Sequence, residues 1–321
     1  MSAHRRPADC LFLSGPTASG KTAVGIELAR RLNAEIVSMD SMALLRGLDI
    51  GTAKPTGAER AATVHHLLDV IDPSEEFSVA RYVAAANQIV EQVASRGREV
   101  LFVGGTPLYL KALLRGLFIG PPADWALRGE LAELARISGP ESLHARLADV
   151  DPAAAQRLPP ADQRRIIRAI EVYEKTGRPI SEWQEQFDIA RPAGECRVFV
   201  LQWPRAELYE RIDRRVDAMF AAGLVEEVKR LTADGQTWGR TASQAVGYRE
   251  VREYLAGRMT LDETVALVKT RTRQFAKRQL TWFRSLSECR FVPVSGTLDV
   301  AAVAEGIIQQ GTAGHVGSED D

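Results

Sequence analysis

The chain has 321 residues, of which 45% are apolar and 26% charged, and its formal net charge is −1. Such a composition excludes a collagen-like or low-complexity protein, and the length suits a core domain carrying a second lobe. Balanced charge gives no bulk argument for a nucleic-acid partner, so any basic surface has to be local. Cys10, Cys196 and Cys289 show no paired metal spacing and read as reduced structural thiols. No apolar run approaches the ~20 residues of a membrane span, and the start MSAHRRPAD has no apolar signal segment. A cytoplasmic protein is expected.

The first strong signal is Cys10 to Leu32, a buried strand, a turn and a helix. Its turn, Gly15-Pro16-Thr17-Ala18-Ser19-Gly20-Lys21-Thr22, has the G-x-x-x-x-G-K-[ST] spacing of a phosphate loop. Glycines let the backbone amides face a polyphosphate, the helix N-terminus adds partial positive charge, and Lys21 adds a full one. Thr22 would hold Mg²⁺ through its hydroxyl. The motif specifies a diphosphate or triphosphate and does not by itself specify a nucleotide. Ala34 to Met39 reads as a second strand that runs into Asp40-Ser41; in an open parallel sheet this places Asp40 on the same crevice as Lys21.

Arg46 to Pro55 reads as an ordered loop over that crevice, and His65 and His66 as structural histidines, since no carboxylate or thiol spacing accompanies them. A helix is predicted near 78–95. Arg98 to Val103 is the next parallel strand, and it ends in Gly104-Gly105-Thr106 where a nucleotide hydrolase carries an acid for Mg²⁺. Asp40 is the candidate replacement, as a metal acid, a helix cap or a base. From residue 120 to 194 the pattern turns all-helical, with helices near 125–137, 141–148 and 161–175, which predicts a small lobe inserted into the core. Arg197 to Trp203 returns to strand, helices follow near 205–222 and 224–233, and 291–294 suggests an edge strand. The fold class expected is α/β: a phosphate-loop (P-loop NTPase-like) parallel-sheet core, residues 8–119 and 195–310, around the lobe at 120–194. Residues 311–321 read as a disordered acidic tail.

The long helix near 261–285 places Lys269, Arg273, Lys277 and Arg284 within one stripe of about 80°. No acid lies between Thr264 and Leu286. A solvated face and an RNA-phosphate surface both fit this pattern.

Taken together, GPTASGKT, DSMALLRGLDIGTAKP, HHLLDVIDP, VGGTPLYLKALLRGL, DQRRIIRAIEVYEKTGRPISE, QAVGYRE and TRQFAKRQLTWFR, in this order, resemble the bacterial tRNA dimethylallyltransferase (isopentenyltransferase) family. The resemblance runs from about Leu11 to Arg284. It implies transfer of a dimethylallyl group from dimethylallyl diphosphate to N6 of adenosine 37 of tRNAs that read codons beginning with U, by a monomer that binds the anticodon loop. By the same resemblance Asp40 is the catalytic base, Arg215 contacts the diphosphate, Thr106 touches the adenosine, and Mg²⁺ is the cofactor. The implied tRNA contacts are Asp40, Ser41, Met42 and Ala43, then Thr106 and Arg128, then Gln163, Arg164, Arg165, Ile166 and Ile167. Gln244, Ala245, Val246, Gly247, Tyr248 and Arg249 follow, with Lys277, Arg278, Gln279 and Arg284 on the long helix. Two departures stand out: Ala43, Leu44 and Leu45 follow Met42 where many members carry Gln and Tyr, and Pro107 follows Gly104-Gly105-Thr106, where it suits the first turn of a helix. The tail also lacks the Cys and His pairs of the zinc-finger extension of eukaryotic relatives.

Three other readings stay open on sequence: a small-molecule kinase sharing the loop and a helical lid, an adenylate prenyltransferase acting on free AMP, and an RNA-binding module with a vestigial loop.

Overall fold

In the computed structural model, residues 6–116, 118, 120–184, 190–233 and 237–313 are described. Contacts divide the chain into one unit formed by residues 1–114 with 190–321 and a second formed by 115–189. The first unit is built on β1 (Leu11–Ser14), β2 (Ala34–Ser38), β3 (His65–His66), β4 (Glu99–Gly104), β5 (Val198–Gln202) and β6 (Cys289–Pro293). Every pairing is parallel and the order is β3-β2-β4-β1-β5-β6. Successive strand residues point to opposite sides of a sheet. Accordingly Phe12, Val37, Val100, Phe102, Val198 and Val200 enter one core, while Leu11, Leu13, Ile36, Leu101, Phe199 and Leu201 enter another. Both sides are covered, which is why these strands read as unbroken apolar runs.

The second of those cores also takes side chains from α1 (Lys21–Arg31), α10 (Arg205–Ala221), α14 (Leu261–Arg284) and α15 (Val300–Ala313). The first takes them from α3 (Val79–Ser95), α4 (Pro107–Arg115), α11 (Leu224–Ala233) and α13 (Tyr248–Leu255). Each fully buried Leu, Val or Phe in these layers contributes roughly 1.5–3 kcal/mol by leaving water. Helix starts follow their caps: the Ser78 side chain accepts from Arg81 N–H ahead of α3, and Thr260 with Glu263 forms a capping box at α14. Short helices α2 (Gly57–Ala62) and α12 (Arg240–Ser243) complete this unit, and no helix among the described residues is long and apolar enough to cross a membrane.

The second unit is all-helical: α5 (Trp125–Ser138), α6 (Pro140–Val150), α7 (Pro152–Arg157), α8 (Gln163–Thr176) and α9 (Ile180–Trp183). It has a core of its own, with Leu143, Leu147, Ile166 and Ile170 at 0% exposure.

Three expectations differ from what is observed. The helical segment spans 115–189 rather than 120–194: Arg115, the last residue of α4, falls within it, and Arg290 donates to Ala193 O and Gly194 O, tying that stretch to the first unit. The tail expected at 311–321 is helical at its start, since α15 carries residues 311–313; residues 314–321 lie outside those described. Finally, the acid-free stripe of α14 is not unpaired. Asp217 of α10 takes Lys269 at 2.7 Å and Asp213 takes Arg273 at 3.5 Å, leaving Lys277 and Arg284 as its exposed members.

Candidate active site

Three strand ends meet at the carboxyl edge of the sheet. β1 enters the phosphate loop, and its neighbour β4 is followed by Gly105-Thr106 and then α4. On the far side of β4, β2 ends beside Met39 and Asp40. The approach between β2 and β4 is close: Thr106 N–H donates to Met39 O at 3.1 Å, and a Cβ placed on Gly104 would lie 2.1 Å from that same oxygen. The glycines at the end of β4 therefore answer a steric demand, and the side chain of Thr106 accepts from Ser41 N–H at 3.0 Å just past Asp40.

The phosphate loop carries left-handed backbone at Ala18 (φ 63°) and Gly20 (φ 92°). For alanine this conformation costs about 1 kcal/mol or more and has to be held from outside. Arg211 Nε donates to Ala18 O at 3.0 Å, Trp203 Nε1 donates to Ser19 O at 3.0 Å, and the Arg211 guanidinium lies 4.1 Å over the Trp203 ring. The outward carbonyls are engaged in this way, and two of the loop amides are used as well: Thr17 N–H donates to Gln279 Oε1 at 2.9 Å and Ser19 N–H to Pro16 O at 3.3 Å. Lys21 Nζ donates to Pro16 O at 2.7 Å. Burial, with the nearby Arg215 charge, pulls Lys21 down to about 7, while Asp40 pulls the other way. Burial also lowers Arg215, again against the charge of Asp40. Arg215 Nη2 reaches Thr52 O at 3.5 Å. Ser19 Oγ and Arg215 Nε are buried without a hydrogen-bond partner. Desolvated cations and orphaned donors gathered at one loop are what a polyphosphate satisfies.

Asp40 faces this cationic group. One of its oxygens, Oδ1, accepts from Met42 N–H at 2.9 Å; the next helix begins only at Gly57, so this is a turn contact and not a helix cap. Its charge is felt by Lys21 and Arg215 and by two tyrosines, Tyr82 and Tyr109, which stack with ring centroids 3.8 Å apart and are both pushed up by burial and by Asp40. The loop after Asp40 is ordered by buried charge. Lys54 Nζ donates to Leu45 O, Asp49 and Asp69, while Glu227 accepts from the backbone N–H groups of Asp49, Ile50 and Gly51 and from Tyr248 Oη. Among the described residues no group of three or more His, Cys, Asp or Glu side chains could cage a metal. His66 pairs with Glu35 and His65 with Thr63 O, which are structural uses.

The structure brings Gly15 to Thr22, Asp40, Thr106 and Arg215 together in the first unit. Ser41 and Met42 are partly exposed beside them, whereas Ala43 is 7% exposed. Several residues expected at tRNA are committed elsewhere. In the second unit Arg128 forms a two-pronged pair with buried Glu171, and Ile166 is core. Arg164, Arg165 and, in part, Gln163 and Ile167 reach the surface there. In the first unit Tyr248, Ala245 and Gly247 are buried, while Gln244 and Arg249 are exposed and Val246 is half-buried. On α14, Lys277, Arg278 and Arg284 are exposed, but Gln279 is buried: its Oε1 accepts from Thr17 N–H at 2.9 Å and its Nε2 donates to Gly105 O at 2.6 Å.

Sequence reasoning missed Trp203, Arg211 and Glu227. Arg211 had a signal: it precedes Arg215 by four residues, so both lie on one face of α10. Trp203 had one too, since it follows the strand beside β1 at the sheet edge that holds the loop.

The class these features define is a phosphate-loop α/β protein whose crevice sets the loop opposite a carboxylate and lacks the acid-ended strand of a nucleotide hydrolase. The family model described as IPP transferase matches residues 43–286, and the chain belongs to that family. A tRNA dimethylallyltransferase from a Roseiflexus species is 48% identical over 303 residues, spanning 94% of this chain and 97% of the relative. Among solved structures, the full-length tRNA isopentenylpyrophosphate transferase from Bacillus halodurans is 37% identical with a TM-score of 0.69, covering 96% of this chain and 98% of the other. A eukaryotic dimethylallyltransferase acting on tRNA is 28% identical with a TM-score of 0.72, covering 89% and 73%.

Proposed function

We propose that the protein is a tRNA dimethylallyltransferase that moves the dimethylallyl group of dimethylallyl diphosphate to N6 of adenosine 37 in tRNAs reading codons that begin with U, releasing diphosphate. The observation that carries this reading is the placement of Asp40 across one crevice from the Lys21 and Arg215 cations. An exocyclic adenine amine is a weak nucleophile, because its lone pair is shared with the ring. Asp40 accepts the proton that the amine loses as the new N–C bond forms, help worth about 10²- to 10⁴-fold. The C–O bond to the diphosphate breaks on the other side, and the loop amides, Lys21 and Arg215 stabilise the charge that gathers there. Thr106, hydrogen-bonded to the Ser41 backbone, lines the acceptor side.

The residues fit a Mg²⁺ carried in on the diphosphate. Its ligands from the chain would be the Thr22 hydroxyl, and bound there the ion would neutralise charge on the leaving group. The target base sits in a loop of RNA, so turning it out of its stack into the crevice costs little. The exposed Lys277, Arg278 and Arg284 suit the RNA backbone. The reading is completed by a monomer acting in the cytoplasm, where tRNA is found.

The test is incubation with dimethylallyl diphosphate, Mg²⁺ and unmodified tRNA, followed by nucleoside mass analysis. One added dimethylallyl group on adenosine 37 is expected. Modification of free AMP with none of tRNA would overturn the acceptor, and transfer of the ATP γ-phosphate with no prenylation would overturn the donor.

A further inference from the structure

We infer that Gln279 determines the donor class of the phosphate loop, admitting a diphosphate and excluding a triphosphate by occupying the place of the third phosphoryl group. The inference rests on the reading that this loop holds a prenyl diphosphate.

In phosphate loops the backbone amides hold the inner phosphates and the lysine reaches the outer ones. The outermost phosphoryl group then lies beyond the lysine, toward the acid-bearing strand end that helps hold its Mg²⁺. Here that strand end is Gly105, and the Gln279 carboxamide lies against it. Nε2 donates to Gly105 O at 2.6 Å and Oε1 accepts from Thr17 N–H at 2.9 Å. A Cβ placed on Gly105 would stand 2.6 Å from Gln279 Nε2, 3.3 Å from Gly15 O and 3.6 Å from Lys21 Nζ. The carboxamide, the loop and the lysine therefore crowd around one point, and Gln279 is 3% exposed there.

Three consequences follow from this geometry. Thr17 N–H is withdrawn from the anion. The space past Lys21 is filled by a side chain with both polar ends used. The carbonyl oxygen of an amide, a hydrogen-bond acceptor, stands where a third phosphoryl group would bring further acceptor oxygens. A triphosphate has to displace a buried, doubly bonded carboxamide, whereas a diphosphate needs the amides from Ala18 onward, Lys21 and Arg215, all of which Gln279 leaves available. The sequence puzzle of a strand ending in Gly-Gly-Thr in place of an acid thus has a partner: a neutral residue more than 170 positions later fills the gap.

Calorimetric titration of the full chain with inorganic diphosphate and with inorganic tripolyphosphate, each with Mg²⁺, tests this. The parent protein should prefer diphosphate by about tenfold or more. Gln279→Ala should shrink that preference by about tenfold, through tighter tripolyphosphate binding, whereas a merely structural role would weaken both ligands alike. Gln279→Glu keeps the side-chain size and the acceptor for Thr17 N–H but loses the donor to Gly105 O. Its negative charge opposes the more highly charged tripolyphosphate more strongly, so the preference should widen, and it remains readable if the alanine variant does not fold. An unchanged ratio in a folded variant overturns the inference. If the parent discriminates as stated yet transfers no dimethylallyl group to tRNA, the donor reading fails and the role of Gln279 stands.

Discussion

At the residue scale the crevice is governed by a lysine held below its ordinary range. Burial, with the nearby Arg215 charge, pulls Lys21 down to about 7. A bound diphosphate favours that charge and raises the pKa, so above pH 7 binding takes up a proton. Donor affinity therefore falls as pH rises above about 7, by up to about tenfold per unit. Inorganic diphosphate titrated into the protein over that range checks it, and Lys21→Arg, which keeps its charge throughout, should flatten the slope. An affinity of the parent protein that does not change with pH would remove Lys21 from the site. Residue identity in this region was legible because the chemistry is local: the phosphate loop is eight consecutive residues, and Asp40 ends the next strand. The partners of single charges were not legible. Arg128 finds Glu171 and Lys269 finds Asp217 from distant positions, and no spacing rule links them.

At the element scale the device is the loop from Asp40 to Pro55, which has almost no regular structure and is fixed by two buried charges. Glu227, 4% exposed, serves three consecutive backbone N–H groups at positions 49 to 51, immediately before Thr52, whose carbonyl receives Arg215. Glu227→Ala leaves those amides and Tyr248 Oη without their acceptor and should cost about 3 kcal/mol of stability. It should also raise the KM for the donor, because Arg215 loses its anchor, while Glu227→Gln, which keeps one acceptor oxygen, should recover part of both. Thermal denaturation with steady-state kinetics measures the pair of effects, and a stable alanine variant with a parental KM would contradict the account. The long elements α1, α3, α10 and α14 and all the main strands could be read from their periodicity and caps. Helices α7, α9 and α12 span four to six residues, too few for a period to show. α15 was missed for another reason: its sequence, VAAVAEGIIQQGTA, has no charged face and includes Gly306 and Gly311.

At the scale of the whole molecule, a parallel sheet covered on both sides sets the phosphate loop on one wall of the crevice and Asp40 on another. A near-zero net charge leaves RNA binding to local exposed cations, among them Lys277, Arg278 and Arg284. The interruption of the α/β pattern after residue 120 was visible in sequence as a change of period. The site's own frame was not, because Gln279, Trp203 and Arg211 converge on the phosphate loop from three separate elements that meet it only after folding.

The central claim is that a carboxylate takes a proton from the acceptor while the phosphate loop holds the departing diphosphate. Single-turnover prenyl transfer with saturating tRNA and dimethylallyl diphosphate, comparing the parent protein with Asp40→Asn, tests it most directly. Asparagine keeps an oxygen that can accept from Met42 N–H, so the fold and tRNA affinity should hold while the rate falls by about 10²-fold or more. A variant that binds tRNA normally and transfers at the parental rate would contradict the account.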